Sequence, residues 1–173
     1  MLSIKNLLFL AVAVTGSVIR RDAAQVKQDL QTVNSDTQAV TAAVNNYNGG
    51  VENTSPILSA QSKLTADIKT ATDDAKAAGT VSEADADDII NYITGTLQPT
   101  IADSLSALKS KKDKFDADGL TGTVKSTLES LKSDSDNLGA ALIGGSPPSR
   151  VDQAKSIQAQ IDASFDDAIS FFS

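Results

Sequence analysis

The side chains best suited to chemistry in this sequence are two groups of closely spaced carboxylates. Asp85, Asp87 and Asp88 lie close together, and Asp166 and Asp167 are adjacent. Two carboxylates whose pKa values are driven apart can act as general acid and general base. The sequence contains no histidine or cysteine to accompany them as base, nucleophile or soft metal ligand. Both groups are therefore predicted to be solvated helix faces, and hydrolysis by a carboxylate pair is kept as the catalytic alternative.

Another acidic stretch, Asp116-Ala117-Asp118-Gly119, resembles the start of a calcium-binding loop. Such a loop spreads its oxygen ligands over about twelve residues and closes with a glutamate. Here Lys114 stands where the first ligand belongs, and Lys125 stands where the closing glutamate belongs. The stretch therefore indicates the C-terminal cap of a helix, and neither a metal site nor a cofactor is predicted.

The overall charge narrows the possible partners. The 173 residues include 15 Lys and Arg against 22 Asp and Glu, which gives a formal charge of −7. Binding to phosphate backbones requires a basic face, so a nucleic acid is not a predicted partner. The same balance argues against charge-driven binding to an anionic membrane surface. Because Trp is absent and aromatic residues make up 4% of the chain, the core must be built from Leu, Ile, Val and Ala.

Residues 1–17 have the composition of a secretory signal peptide rather than of an N-terminal core helix. Lys5 supplies the positive charge, and an unbroken apolar run from Leu7 to Val14 is followed by small residues. This run is too short to anchor a protein in a bilayer, so no transmembrane anchor is predicted. Residues 18–21 end in Arg20-Arg21, a candidate dibasic processing site, after which a domain of residues 22–173 would begin.

Apolar side chains spaced three or four residues apart form a stripe along residues 26–47. Its members are Val26, Leu30, Val33, Thr37, Val40, Val44 and Tyr47. Polar residues fill the positions between them, so the pattern predicts an amphipathic helix of about six turns from Asp22 to about Asn48. A stripe this narrow must be covered by partner helices.

Similar stripes return four more times along the chain. In the second helix, Ser55 is the predicted N-cap, Pro56 is the first residue and Gly79 marks the end. Ser82 is the predicted N-cap of the third helix. A kink or break is expected in the third helix near Pro99, because proline removes one backbone hydrogen bond and crowds the preceding turn.

The fourth and fifth helices complete the predicted fold. The fourth lies between glycine-rich turns at 119–122 and 144–148, and the fifth extends from Ser149 to about Phe172. Short connections between amphipathic helices predict an all-α fold, an antiparallel bundle of about five helices. A coiled-coil assembly is the competing architecture, but the recurrent Pro and Gly breaks argue against it.

The stripes could fill a core or line a cavity, and the sequence leaves both possibilities open. Several stripe positions hold small or polar side chains, namely Thr37, Gln61, Ala71, Ala75, Ala86, Ser135 and Ala154. Five long helices cannot easily reach interior packing density with side chains this small, so an apolar tunnel for a fatty chain is physically reasonable. We predict that one set of residues on the third and fifth helices surrounds this space: Ile93, Leu97, Ile101, Leu105, Ile161 and Phe165.

One modification site is predicted in the connection between the first two helices. Asn53-Thr54-Ser55 is an N-glycosylation sequon, which is consistent with secretion. Pro56 directly follows the sequon and is expected to lower its use, so the occupancy of Asn53 stays open.

Together, these features resemble a known family. They are Arg20-Arg21-Asp22 after the signal segment, the helix that begins Val26-Lys-Gln-Asp-Leu30-Gln-Thr-Val33, five Ala/Ser/Thr-rich helices without cysteine, and a proline in the third helix. This pattern is similar to the hydrophobic surface binding protein A family, which includes fungal cell-wall galactomannoproteins. The resemblance covers residues 22–173 and implies a secreted, non-enzymatic, all-helical domain.

The resemblance also implies partners. Members of the family adsorb to hydrophobic surfaces and can recruit a polyester-degrading enzyme such as an esterase or cutinase, and some relatives hold fatty acids in a helical cavity. This chain has no Ser/Thr-rich stalk or anchor signal, which favours free secretion over attachment to the cell wall. Binding of lipids or hydrophobic surfaces is the favoured function. The alternatives are a structural or antigenic wall protein without a ligand, and the hydrolase.

The N-terminal assignment can be tested directly. Intact-mass analysis of the protein recovered from culture medium is expected to show a chain that begins at or near Asp22, because signal removal and dibasic cleavage act before that residue. A mass that begins at Met1 would contradict the extracellular interpretation.

Overall fold

The computed structural model describes residues 23–173, so the predicted signal segment and the Arg20-Arg21 site lie outside the described residues. Residues 23–173 contain helices and no strand, which confirms the predicted all-α fold. The α-helices are α1 (Ala23–Asn46), α2 (Ser55–Ala78), α3 (Glu83–Tyr92), α4 (Gln98–Ser110), α5 (Lys112–Ala117), α6 (Thr121–Gly145) and α7 (Val151–Phe171).

The five predicted helices are present, with corrections at their ends. The connection after α1 contains a 3-10 turn at Val51–Thr54 that leads directly into α2, so Ser55 is the first helical residue and the N-cap is Thr54. The predicted third helix is divided into α3, α4 and the short α5. A second 3-10 turn at Pro148–Arg150 delays the start of α7 from the predicted Ser149 to Val151.

Two predicted caps are confirmed. The Ser82 hydroxyl accepts a hydrogen bond from the backbone N–H of Asp85 at 3.2 Å, which satisfies a free donor at the start of α3. At the end of α5, Asp118 is the C-cap and Gly119 adopts a φ of +69°. A left-handed glycine is a common way to end a helix, so the acidic stretch that resembles a calcium loop is a helix end.

The irregularity predicted near Pro99 is a π-helical turn over Ile93–Leu97, between α3 and α4. The backbone N–H of Gln98 bonds to the carbonyl of Ile93, five residues back. Pro99 has no N–H to donate to the carbonyl of Gly95, and its ring would crowd that carbonyl in a regular α-helix. The wider turn accommodates the proline without ending the helix.

Five helices close into a ring. Around the ring α1 contacts α2, α2 contacts α6, α6 contacts α7, α7 contacts α4, and α4 returns to α1. Consecutive long helices run in opposite directions, and α5 crosses the end of the bundle to join α4 to α6. At an interaxial distance of about 9 Å, five helices lie about 8 Å from the central axis, against about 6 Å for four. The centre therefore needs large side chains to be filled.

The lower end of the bundle, formed by the connections 79–82 and 146–150, is held by a close backbone contact. The N–H of Val81 donates to the carbonyl of Gly145 at 2.9 Å. A Cβ atom on Gly145 would lie only 2.8 Å from the carbonyl oxygen of Gly79. Glycine at position 145 therefore allows the two connections to approach one another.

The upper end, formed by the connections 47–54 and 118–120, is closed by aromatic side chains. The ring of Tyr47 stacks on Phe115 with centroids 4.9 Å apart, and Phe172 packs edge-on against Phe115 at 6.3 Å. The Tyr47 hydroxyl donates to the Asp118 carboxylate, which also accepts the N–H of Gly50 at 2.8 Å. Burial, and then the hydrogen bond to Asp118, raise the pKa of Tyr47 to about 12.

The contact at the lower end predicts opposite effects for two adjacent glycines in the last turn of α6. Gly145→Ala should lower the free energy of unfolding by about 1–3 kcal/mol, because its methyl group would overlap the Gly79 carbonyl. Gly144→Ala is the matched control. Nothing lies within 4 Å of its added Cβ, so the better helix former should be neutral or stabilising by up to about 1 kcal/mol. Equal effects in urea unfolding would contradict the contact.

The aromatic end generates a second stability test. Tyr47→Phe should cost about 1.5–3 kcal/mol in urea unfolding, because it removes a hydrogen bond to a charged group and keeps the ring. Tyr92→Phe is the control, since the half-buried Tyr92 hydroxyl has no hydrogen-bond partner in residues 23–173, and its cost should be below about 0.5 kcal/mol. A Tyr47→Phe variant as stable as the control would show that the Asp118 contact contributes nothing.

Candidate functional site

A cavity of about 130 Å³ lies inside the ring of helices. Its walls are the inward faces of α1, α2, the α3–α4 segment, α6 and α7, because each stripe turns its apolar side chains toward the centre. None of the side chains that line it is charged. Such a wall repels water and offers contacts suited to hydrocarbon.

All six residues predicted from the third and fifth helices border this cavity. Ile93 and Leu97 are the first and last residues of the π-helical turn, and both are buried and border the cavity. The other four lie on the neighbouring helices α4 and α7: Ile101, Leu105, Ile161 and Phe165. Ile101 is partly exposed, whereas the other five are buried. The structure thus brings the whole set together around one space.

The sequence prediction missed the walls that the other helices contribute. Val33 and Val40 on α1, Ile68 on α2, and Leu131 and Leu138 on α6 also border the cavity. These residues belong to the same stripes, so the spacing that identified the helices contained the signal. What the sequence could not show was that the helices close into a ring, which makes every stripe a wall.

A few polar side chains interrupt the apolar wall. The Thr37 hydroxyl donates to the carbonyl of Val33 at 2.8 Å, so its hydrogen-bonding capacity is used within α1. Ser104 on α4 is 6% exposed and faces the cavity, and its hydroxyl has no partner in residues 23–173. Ser135 on α6 lies on another side of the cavity and is half-buried. The hydroxyls of Ser104 and Ser135 can therefore donate a hydrogen bond to a ligand, but they carry no charge.

The longest polar side chain in the wall is Gln158 on α7, which lies flat against α6. A Cβ on Gly139 would be 1.8 Å from the Gln158 amide oxygen, so the glycine makes room for the side chain. The amide nitrogen donates to Asp136 at 3.0 Å and to Asp162 at 2.6 Å. Burial, and then the neighbouring Asp162, raise the pKa of the Asp136 carboxyl. Two carboxyl groups therefore lie one hydrogen bond behind the cavity wall.

The cavity is closed at the upper end and approaches solvent at the lower end. Tyr47, Phe115 and Phe172 are buried above it and do not border it. At the lower end Gly79 is exposed to solvent and also borders the cavity, together with Val81. We call this region, residues 79–81 with 145–146, the mouth.

Arg150, the cation that follows the mouth in sequence, is already paired. Arg150 binds the Asp87 carboxylate through two nitrogens, with Nη2 at 3.0 Å from Oδ2. This ion pair holds the pKa of Asp87 below its usual range. Ser149 donates to Glu83 at 2.7 Å, which joins the start of α7 to the start of α3.

Four of the five clustered aspartates singled out in the sequence form ion pairs with residues of other elements, and the fifth, Asp85, accepts a hydrogen bond from the Ser82 hydroxyl. Asp88 pairs with Lys27 at 2.5 Å, Asp166 pairs with Lys132 at 3.3 Å, and the remaining partners are Asp87 with Arg150 and Asp167 with Lys109. Lys27 and Lys132 reach across from other helices. In the part of the chain that the structure describes, no three His, Cys, Asp or Glu residues are placed to hold a metal ion.

Two further features concern the surface. Asn53 is exposed in the 3-10 turn, and its side-chain nitrogen donates to the Gly49 carbonyl at 2.8 Å. Glycosylation of Asn53 stays a prediction. Of the helices within residues 23–173, none combines the length and hydropathy that a membrane span requires.

Comparison with solved structures identifies proteins with the same architecture. The crystal structure of AFMP4P in complex with palmitic acid matches with a TM-score of 0.84 and 35% sequence identity, over 88% of this chain and 100% of that chain. Ligand binding domain 1 of the Penicillium marneffei MP1 protein, complexed with arachidonic acids, matches with a TM-score of 0.81 at 16% identity, over 87% of this chain and 99% of that chain. Domain 2 of the same protein, complexed with multiple arachidonic acids, matches with a TM-score of 0.81 at 17% identity, over 90% of this chain and 98% of that chain.

The two MP1 domains share the fold of this chain, but at such low sequence identity the similarity shows the fold alone. No curated protein sequence matches the chain. A family model described as hydrophobic surface binding protein A matches residues 23–144, which is most of the chain and includes four of the five helices of the ring. Together with the similarity to AFMP4P, this match shows that the chain belongs to the hydrophobic surface binding protein A family.

Proposed function

We propose that this protein is a secreted, non-catalytic binder of apolar molecules that takes a fatty-acid-like chain into the space between its helices. The observation that carries the proposal is the cavity inside a closed ring of five helices, with no charged side chain in its wall. A hydrocarbon chain placed there would gain about 0.8 kcal/mol for each CH₂ group removed from water. Palmitic acid in the complex of AFMP4P, at 35% identity, supports this choice of ligand class.

The proposed contacts with the ligand are the six residues on the α3–α4 segment and α7. Leu97 and Phe165 represent this set, because they come from the two neighbouring walls and are buried, at 4% and 7% exposed. A chain bound between them would touch side chains that the protein's own packing leaves incompletely covered.

The cavity must widen to hold a long chain. Its volume of about 130 Å³ is close to the roughly 150 Å³ of an apolar cavity that holds one benzene molecule. The interface between α4 and α7 is the best place for this change. Its polar contacts are exposed ones, Gln98 with Gln160 at 2.9 Å and Lys109 with Asp167, and water can replace them at low cost.

Adsorption to hydrophobic surfaces follows from the same property. If α4 and α7 separate, their apolar faces become available to an oily or polyester surface as well as to a single chain. Because this attraction is hydrophobic, high salt should not weaken it. We extend the proposal to recruitment of a secreted esterase or cutinase at such a surface, on the basis of family membership.

The contacts with the ligand can be tested by placing an amide in the apolar wall. Leu97→Gln and Phe165→Gln should each weaken palmitate binding about tenfold or more, because the bound chain would leave the amide without hydrogen bonds. Binding would be measured by titration calorimetry, and folding would be checked by circular dichroism.

Matched controls are available on the surface. Leu58→Gln and Phe171→Gln change the same residue types at positions that are 50% and 46% exposed, so palmitate affinity should stay within about twofold. If the folded cavity variants bind palmitate as tightly as these controls, the proposed contacts are wrong. Absence of any bound fatty acid, in the wild-type protein purified from medium and after titration, would favour a structural wall protein instead.

A further inference from the structure

The inference concerns the head group of the ligand and rests on the proposed function. A fatty acid carries a carboxylate at neutral pH, and a buried carboxylate requires a cation or several hydrogen-bond donors. The cavity wall contains no Lys or Arg and no other charged group. Its polar members are Thr37, Ser104, Ser135, Ser146 and Gln158.

Most of this donor capacity is already used. Thr37 donates to the Val33 carbonyl within α1 at 2.8 Å, and Ser146, the C-cap of α6, donates to the Leu142 carbonyl in the last turn of that helix at 2.9 Å. Both amide hydrogens of Gln158 point to carboxylates, at 2.6 and 3.0 Å. The hydroxyls of Ser104 and Ser135 remain, and a hydroxyl serves a neutral oxygen well but does not neutralise a charge.

The charges behind the wall also disfavour an anion. At the interface between α6 and α7, Asp136 and Asp162 lie behind Gln158, and the nearby Lys132 is bound by Asp166. At the interface between α1 and α2, Lys63 is shared by Asp36 and Asp67, both at 2.7 Å. In each group, carboxylates outnumber cations.

The mouth, like the cavity wall, has few cations that could pair with a carboxylate. Arg150 is already bound by Asp87, and the first turn of α3 adds Glu83 and Asp85. Lys76, in the last turn of α2, is the cation nearest in sequence to the mouth. A carboxylate left at the mouth would therefore face a predominantly acidic rim.

We infer that the cavity selects single-chain lipids with an uncharged head group, such as a fatty alcohol, a fatty ester or the protonated form of a fatty acid. The apolar wall binds the hydrocarbon chain, and the hydroxyl of Ser104 or Ser135 forms a hydrogen bond with the neutral oxygen of the head group. A fatty acid then binds together with its proton, so its affinity is highest below its own pKa and falls as the pH rises above that value.

The test compares dodecanoic acid with 1-dodecanol, by displacement of the neutral fluorophore N-phenyl-1-naphthylamine, across acidic to mildly alkaline pH. The two ligands share the chain and differ in charge. Dodecanol affinity should change by less than about twofold, which also controls for titration of the protein. Dodecanoic acid should lose about tenfold in affinity for each pH unit above its pKa, until the weak affinity of the ionised form is reached.

Isosteric variants locate the source of the discrimination. At mildly alkaline pH, Asp136→Asn and Asp162→Asn should each strengthen dodecanoate binding by roughly threefold to tenfold and leave dodecanol unchanged. Asp103→Asn is the control, since it removes the same charge at an exposed position on α4 outside the cavity wall and should change neither affinity. A merely structural effect of the substitutions would change the affinities of both ligands by the same factor.

The outcomes separate this inference from the proposed function. If neither ligand displaces the fluorophore at any pH, the proposed function fails. If both bind and dodecanoate affinity does not depend on pH, the function stands and the inference is overturned. Loss of such pH-independent binding in Lys76→Ala would then place the carboxylate at the mouth.

Discussion

The constraint on which the structure depends is the closure of five helices into one ring. Five packed helices lie further from their common axis than four do, by about 1–2 Å at ordinary interhelical distances. A core of Phe, Leu and Met could fill this additional width, but many inward positions hold Ala, Val, Thr or Ser, including Thr37, Ala75 and Ser104. The central space follows from this mismatch between ring size and side-chain size.

Because packing at the centre is incomplete, the ends of the bundle must hold the helices in place. At the upper end Tyr47, Phe115 and Phe172 are all at most 2% exposed, and Asp118 joins this cluster to the connection after α1. At the lower end the contact between Gly79 and Gly145 brings two connections together. The proposed separation of α4 and α7 would therefore be a local change, since the contacts at both ends would keep the rest of the fold in place.

The sequence was sufficient for much of this architecture, because its periodicity is strong. The five long helical segments, the Ser82 cap and the irregularity before Pro99 were predictable from spacing and from the chemistry of serine and proline. The six side chains of the third and fifth helices also border one space. This was predictable because the apolar stripes of two adjacent helices must both face the centre of the bundle to be buried. Their role toward a ligand stays a proposal.

Other features depended on contacts between residues far apart in the chain, which spacing does not encode. The bundle is a ring because α4 packs against both α1 and α7, and no local sequence pattern predicts this packing. The 3-10 turns at Val51–Thr54 and Pro148–Arg150 arise where a connection must bend to reach a partner. The position of Gln158 likewise required Gly139 on another helix to leave room for the amide.

The small volume of the cavity has an energetic consequence for selectivity. Each CH₂ group that enters contributes about 0.8 kcal/mol, but widening the interface between α4 and α7 uses part of this gain before the chain is fully bound. Under the proposed function, short chains would gain too little to separate the helices and long chains would gain enough, so the protein's own packing would select chain length. A charged head group would add its desolvation cost to the same balance. In a wall without cations, chain length and head-group charge would thus act together, and the proposed ligand that satisfies both is long and uncharged.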